Sequence, residues 1–414
     1  CILTRVPPQG SRPARRMAPI TIGTDCSGME APVQAMRNLG VKYEHSFSCD
    51  ICKFARATIE ANFPHGEMYT DVTTRDNDAA PAVDVYVAGF PCQPFSSAGL
   101  RQGFGDSRGR GTIFFDVRDY IDKQRPKVFV LENVRGLQSI NKGEYFKAIM
   151  ESLEQLGGYN ITVGLMDTKQ HGIPHHRVRT YIVGIRQDVD QGTFSFPEPI
   201  PCSSIERFLE CRPSRAFASR SLPPASQTNA RKNVVDTKRT LRRQGSDPAK
   251  EDIIIDCDST PRFSKWMPGV SPCITCGRKN GHWVTSRGRR FLKTEMMRPQ
   301  GMDRLFCSAP HTICVRGLDV SWSATHFCRA LPAAGLARPG ALRDRWADGS
   351  AVKALRGDAE RGPRQALRGG AEAQGRGRWP REAREGRGDA PPEDGPEARG
   401  GLAAAPRSAR GRLE

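Results

Sequence analysis

Val83-Asp-Val-Tyr-Val87-Ala88-Gly-Phe-Pro-Cys92-Gln-Pro-Phe-Ser96 reads as a short apolar strand that hands a cysteine to a loop stiffened by a proline on either side. The β-branched run has the length of a strand buried in a parallel sheet, and in open α/β sheets ligands sit just beyond the carboxyl ends of such strands. Cys92 falls there. A free thiol titrates at about 8.5 and attacks only as the thiolate, so a catalytic role asks for a positive or dipolar neighbourhood. A buried structural cysteine is the ordinary alternative. Pro91 and Pro94 weigh against it, because a loop rigid on both sides packs poorly but makes a good platform.

Around this stretch, between Ile20 and about Arg186, short apolar strands alternate with amphipathic helical segments, the mark of βαβ units and an α/β fold with a parallel sheet. Strands are expected at 20–23, 43–48, 83–88, 128–132, 161–165 and 181–185, and helices at 31–39, 54–62, 114–123 and 145–156. The last helix puts Phe146, Ile149, Met150, Leu153 and Leu156 on one face, which is core spacing. The expected divisions are a flexible leader at 1–18, a catalytic domain at 19–189, an irregular recognition region at 190–289 and a return segment at 290–306. In the recognition region the basic cluster Arg231-Lys232, Lys238-Arg239, Arg242-Arg243 is either a phosphate-contacting surface or a solvated insertion. Order returns with a helical pattern over 294–300. From residue 307 to 414 the chain is a Gly, Arg, Ala and Pro mixture with Lys353 its only lysine, a composition expected to stay disordered and of the kind out-of-frame or intronic sequence gives. The chain starts at Cys1, and Met17 is a candidate true start.

With 414 residues, the chain exceeds one typical domain, and 37% hydrophobic residues leave part of it without a core. A formal charge of +18 fits a polyanionic partner, nucleic acid first. No apolar run approaches the roughly 18 residues that cross a bilayer. Thirteen irregularly spaced cysteines do not make a secreted disulfide framework, so a reducing compartment is expected. Two Cys-x-x-Cys pairs, Cys49 with Cys52 and Cys273 with Cys276, stand too far apart for a finger or ribbon, and no metal site is expected.

Thr24-Asp25-Cys-Ser-Gly28-Met-Glu-Ala-Pro32 lies between the first strand and first helix, where a glycine turn lets backbone approach a bound nucleoside. Asp50 ends the second strand, where doubly wound domains place an acid on ribose hydroxyls, and Asp71 follows a third segment. Either acid is equally readable as a helix cap or a turn residue. Then come Gly89-Phe-Pro-Cys92-Gln, Phe95-Ser96, Gly103-Phe-Gly-Asp106-Ser-Arg-Gly109, Glu132-Asn133-Val134, Gln170-His-Gly-Ile-Pro174 and Arg177-Val-Arg179. In this order, from Ile20 to Arg186, they closely resemble the cytosine-C5 methyltransferase family, with a further short match over 290–301.

The resemblance implies a Rossmann-like methyltransferase domain, S-adenosylmethionine as methyl donor and DNA as partner. Cytosine C5 is a poor nucleophile until a thiolate adds to C6 and an acid near N3 absorbs the developing charge. Cys92 and Glu132 supply that pair, and Glu132 would have to hold or donate a proton at neutral pH. Arg177 and Arg179 alternate on a strand edge and face one side, and the likeness makes Arg179 the base contact. The glycine- and serine-rich segment 97–110 suits a loop that closes over a flipped base. For the cofactor the likeness points to Asp25 and Gly28, Asp50 on ribose, Ile51 against adenine, Asp71 at its amine, and Phe90 and Pro91 as lining.

Departures from the family pattern are Glu30 in place of a second glycine, Cys26 in place of phenylalanine, His175 in place of glutamine, and no Gly-Asn-Ser/Ala-Val segment after Gly301. The competing readings are a tRNA methyltransferase of the same family, of which Cys273-Ile-Thr275 is a loose echo, and an inactive nucleic-acid-binding relative. A cysteine hydrolase using His171, His175 or His176 lacks an oxyanion motif. A nucleus is expected if the source is eukaryotic, and a cytoplasm otherwise.

Overall fold

Residues 18–91, 111–278, 280–302, 320–343, 345 and 348–353 are described by the computed structural model. Seven strands make one sheet: β1 (Ile20–Asp25), β2 (Tyr43–Cys49), β3 (Glu67–Tyr69), β4 (Val85–Ala88), β5 (Val128–Val134), β6 (Tyr159–Asp167) and β7 (Val178–Arg186). Their order is β3-β2-β1-β4-β5-β7-β6. The alternation of side chains along a strand divides the core in two. Val85, Val87, Val128 and Val130 join one apolar cluster with Ala31, Val33, Ala35 and Met36 of α1 (Ala31–Asn38) and Ile59 of α2 (Lys53–Asn62). Tyr86, Ala88, Phe129 and Leu131 join the other, with Phe114, Val117 and Tyr120 of α3 (Ile113–Gln124) and Ile149 and Leu153 of α4 (Glu144–Glu154). Strands covered on both faces read as the near-continuous apolar runs seen in the sequence.

From β3 through β5 the sheet is parallel, as expected, but β7 runs antiparallel to both β5 and β6. The β6–β7 connection holds only a single 3₁₀ turn, Thr168–Gln170, so no helix crosses over to make the strands parallel. Close packing needs glycine at Gly23, where a Cβ would come within 2.1 Å of the Phe47 ring.

The segment after β7 is mostly irregular chain around a second, four-stranded sheet. It holds α5 (Arg215–Arg220), α6 (Thr228–Arg243), β8 (Ile253–Ile255), β9 (Trp266–Pro268), β10 (Trp283–Val284) and β11 (Arg289–Arg290), the strands ordered β11-β10-β8-β9. Pro268 lies on the edge strand β9, where a missing N–H costs no ladder bond. The buried positions of α6, Ala230, Asn233, Val234, Thr237, Lys238 and Leu241, have helical spacing, but three of them are polar. Asn233 Nδ2 donates to the carbonyls of Cys257 (2.8 Å) and Ser259 (2.7 Å), and Lys238 Nζ to those of Ala218 (3.0 Å) and Ser221 (2.9 Å). Buried Arg287 ties this unit together through Glu206 Oε1 at 2.9 Å and Asp252 Oδ1 at 2.8 Å.

The chain then returns through α7 (Lys293–Met297) and a 3₁₀ turn, Arg298–Gln300, the region read as helical. The expectation of unstructured chain from residue 307 onward needs correction. Helix α8 (Val320–Ala333) packs against α1 and places Phe327, Ala330, Leu331 and Ala333 in the first core cluster. Local apolar content there is enough to be buried, although the average composition beyond 307 is not. The expected leader, the 97–110 loop and residues 354–414 lie outside the described residues, apart from Ala18.

Candidate active site

Because β1, β2, β4 and β5 run parallel, their carboxyl ends meet on one edge of the sheet. There β4 pairs with β5, Ala88 opposite Leu131, and Asn133 Nδ2 donates to the Phe90 carbonyl at 3.2 Å. That hydrogen bond ties the Glu132-Asn133-Val134 segment to the residues that lead into Cys92. Cys92 itself lies outside the described residues, which resume at Gly111 after Pro91.

Glu132 is buried at 6% exposure in β5. Its Oε1 contacts Arg179 Nε at 2.8 Å and Arg177 Nη2 at 3.5 Å. The acid and both arginines are therefore brought together. Arg179 pairs opposite Val134 at the start of β7, and Arg177 immediately precedes that strand. Arg177 is fixed by its own N–H, which donates to Asp167 Oδ1 at 3.0 Å. Cys273 joins them from the recognition region, its Sγ 3.8 Å from Arg179 Nη2. Burial raises this thiol, but the guanidinia of Arg179 and Arg177 outweigh it and leave Cys273 below the ordinary thiol value. His175 helps dock this segment: its Nε2 accepts from the Ile274 N–H at 3.2 Å.

On the other side, Gly28 adopts a left-handed φ of 60° and its N–H donates to Asp50 Oδ2 at 2.8 Å, while Asp50 Oδ1 accepts from the Cys52 N–H at 2.8 Å. Ile51 is 72% exposed. An apolar side chain left bare beside a fixed carboxylate fits the ring and ribose of an adenosine. Asp25 is the last residue of β1 rather than part of the loop that follows it. It is buried, gripped at both oxygens by Arg75 (2.6 and 2.7 Å) and bonded by the Tyr86 hydroxyl. The Arg75 guanidinium lies over the rings of Phe47 (5.0 Å), Tyr69 (5.2 Å) and Tyr120 (5.0 Å), so Asp25 is an internal anchor. Asp71 Oδ1 accepts from the Thr73 N–H (2.9 Å) and hydroxyl (2.8 Å), which is the turn alternative. Phe90 is buried against Phe114, ring centroids 5.6 Å apart, and Pro91 is half-buried. No cluster of three or more His, Cys, Asp or Glu suited to a metal occurs among the described residues.

A family model described as C-5 cytosine-specific DNA methylase matches residues 25–312. The chain belongs to this family. Among curated relatives, it is 40% identical to the Type II methyltransferase M.HpaII of Haemophilus parainfluenzae over 190 residues, 45% of this chain and 51% of the relative. It is 37% identical to the Type II methyltransferase M.BsuFI of Bacillus subtilis over 204 residues, 47% of this chain and 48% of the relative. The chain thus spans about half the length of the curated relatives it matches. The S. pombe Dnmt2 methyltransferase structure aligns with a TM-score of 0.50 at 16% identity, over 76% of this chain and 98% of that one, a likeness of fold. Arg75 carried no signal in the sequence. Cys273 carried two, a Cys-x-x-Cys pair that was not read as a metal site and the Cys273-Ile-Thr275 echo of the tRNA branch, and neither pointed to the arginine pair.

Proposed function

We infer that this protein transfers a methyl group to C5 of cytosine in DNA. The observation that carries the reading is the Asn133 Nδ2 bond to the Phe90 carbonyl, beside Glu132 paired with two arginines. It joins the acid's strand to the strand that leads to Cys92, so both groups can reach one flipped ring. The Cys92 thiolate adds to C6 of the base. Electron density then moves to C5 while Glu132 faces N3 and Arg179 steadies the ring's charged edge. S-adenosylmethionine, when bound, supplies an electrophilic methyl on a sulfonium. Once C5 carries the methyl, loss of its proton to a base restores the double bond and expels the thiolate. Asp50 and Ile51 would hold ribose and adenine, and Gly28 keeps Asp50 in place. Asp25 acts through Arg75, Asp71 at the start of its turn would meet the amine, and Phe90 and Pro91 would line the site.

The charge of +18 supports a nucleic-acid partner, and the family description and the names of the curated relatives support DNA over tRNA. No helix among the described residues is long and apolar enough to cross a membrane. Tritiated methyl transfer from S-adenosylmethionine to duplex DNA and to tRNA tests the reading. DNA is the expected acceptor, and Cys92→Ser is expected to abolish transfer while DNA binding persists. Unchanged methylation by Cys92→Ser would move the nucleophile elsewhere.

A further inference from the structure

Glu30 stands in the first loop with no solvent exposure and a left-handed φ of 60°. A side chain seldom adopts that backbone conformation, and an acid seldom goes fully underground. Its Oε2 accepts from the Thr24 hydroxyl at 3.0 Å and from the Ser48 hydroxyl at 2.7 Å, bridging the ends of β1 and β2. Its Oε1 has no hydrogen-bond partner among the described residues. Two shallower stitches lie in the same loop. Ser27 exchanges hydrogen bonds with the Cys49 backbone at 3.0 Å, and the Gly28 N–H meets Asp50 at 2.8 Å. Glu30 is the deepest of the three, fully buried where Ser27 is 5% and Asp50 7% exposed, and the Asp50 carboxylate is among the charges that act on it.

We propose that Glu30 is a positioning residue for the methyl-donor site: by tying Thr24 to Ser48 under the first loop, its carboxyl holds Gly28 and Asp50 in the geometry that receives the donor. This rests on the methyl-donor reading above. Glu30 replaces the second glycine expected in this loop, so the bridge belongs to this chain's own sequence.

The groups facing Glu30 make it work as a neutral acid. Burial pushes it up to about 8, with the Asp50 and Asp25 carboxylates adding to the rise against the lowering Ser48 and Thr24 hydrogen bonds. His45 Nε2 lies 3.8 Å away, but burial and nearby His65 bring His45 down to about 4, so the two form no ion pair at neutral pH. The nearby guanidinium, Arg75, is committed to Asp25. The thiols of Cys26 and Cys49 are pushed up by burial and stay uncharged. As pH rises through about 8, Glu30 ionises with no cation to meet it. Above that pH the uncompensated buried charge destabilises the loop that the bridge holds.

Calorimetric titration with S-adenosylhomocysteine, on the full chain and two variants across that range, tests the proposal. Glu30→Gly suits the local φ and removes only the bridge, so affinity is expected to fall on the order of tenfold at neutral pH. Glu30→Gln keeps an acceptor for Thr24 and Ser48, so affinity is expected to match the parent below pH 8 and to escape its loss above. Affinity unchanged in Glu30→Gly, or a pH profile of Glu30→Gln that copies the parent's, would overturn the proposal while leaving the methyl-donor reading intact. No binding by the parent chain at any pH would overturn that reading and this proposal together.

Discussion

Glu132 is held by Arg179 at 2.8 Å and Arg177 at 3.5 Å, so a base that takes up the carboxyl must share or displace a guanidinium. Cys273, 3.8 Å from Arg179, offers that guanidinium a second polar neighbour from the segment that carries the second sheet. Arg179→Ala removes the closer of the two guanidinium contacts to Glu132, and with it the proposed contact to the ring. Single-turnover methylation is expected to slow on the order of 10²-fold, with a smaller change in DNA affinity. Equal losses in rate and affinity would make Arg179 a binding residue only. Glu132, Arg177 and Arg179 were read from short runs beside expected strand ends, and the structure brings these three side chains together. The contacts of Arg75 and Cys273 were not legible, because their partners lie 50 and 94 positions away and no local pattern reports such a pairing. Asp25 illustrates the same limit. Its position near the carboxyl end of the first strand was readable, but its capture by Arg75 was not.

At the scale of elements, the seven-stranded sheet was readable because strands buried on both faces leave short near-continuous apolar runs and helices buried on one face repeat with a helical period. The antiparallel turn of β7 escaped, since strand direction depends on the connection and not on the strand's residues. Helix α6 escaped for another reason: Asn233, Thr237 and Lys238 occupy buried positions of its seam and blur the apolar period. Helix α8 was hidden by averaging its apolar stretch with the Arg- and Gly-rich chain that follows. Its role is open to measurement. Leu331 is fully buried in the cluster shared with α1, so Leu331→Ala is expected to cost about 2–5 kcal/mol in urea unfolding. A loss below about 0.5 kcal/mol would mean that α8 does not dock on the sheet in solution.

For the whole molecule, a two-faced sheet brings four carboxyl strand ends to one edge, and the second sheet approaches that edge through the segment carrying Ser271, Cys273 and Ile274. Ser271 exchanges backbone hydrogen bonds at 2.8 Å with Pro174 and His176, just before the arginine pair. The residues proposed to hold the methyl donor, the acid Glu132 and the segment from Ser271 to Ile274 thus lie at the edge where β4 and β5 end. Incubation with S-adenosylmethionine and duplex DNA carrying 5-fluorocytosine tests this arrangement most directly, because fluorine cannot leave as the proton does. A stable protein–DNA adduct mapped by mass spectrometry to Cys92 is the expected result. A folded protein that binds S-adenosylhomocysteine and DNA yet forms no adduct, or forms it at another residue, would contradict it.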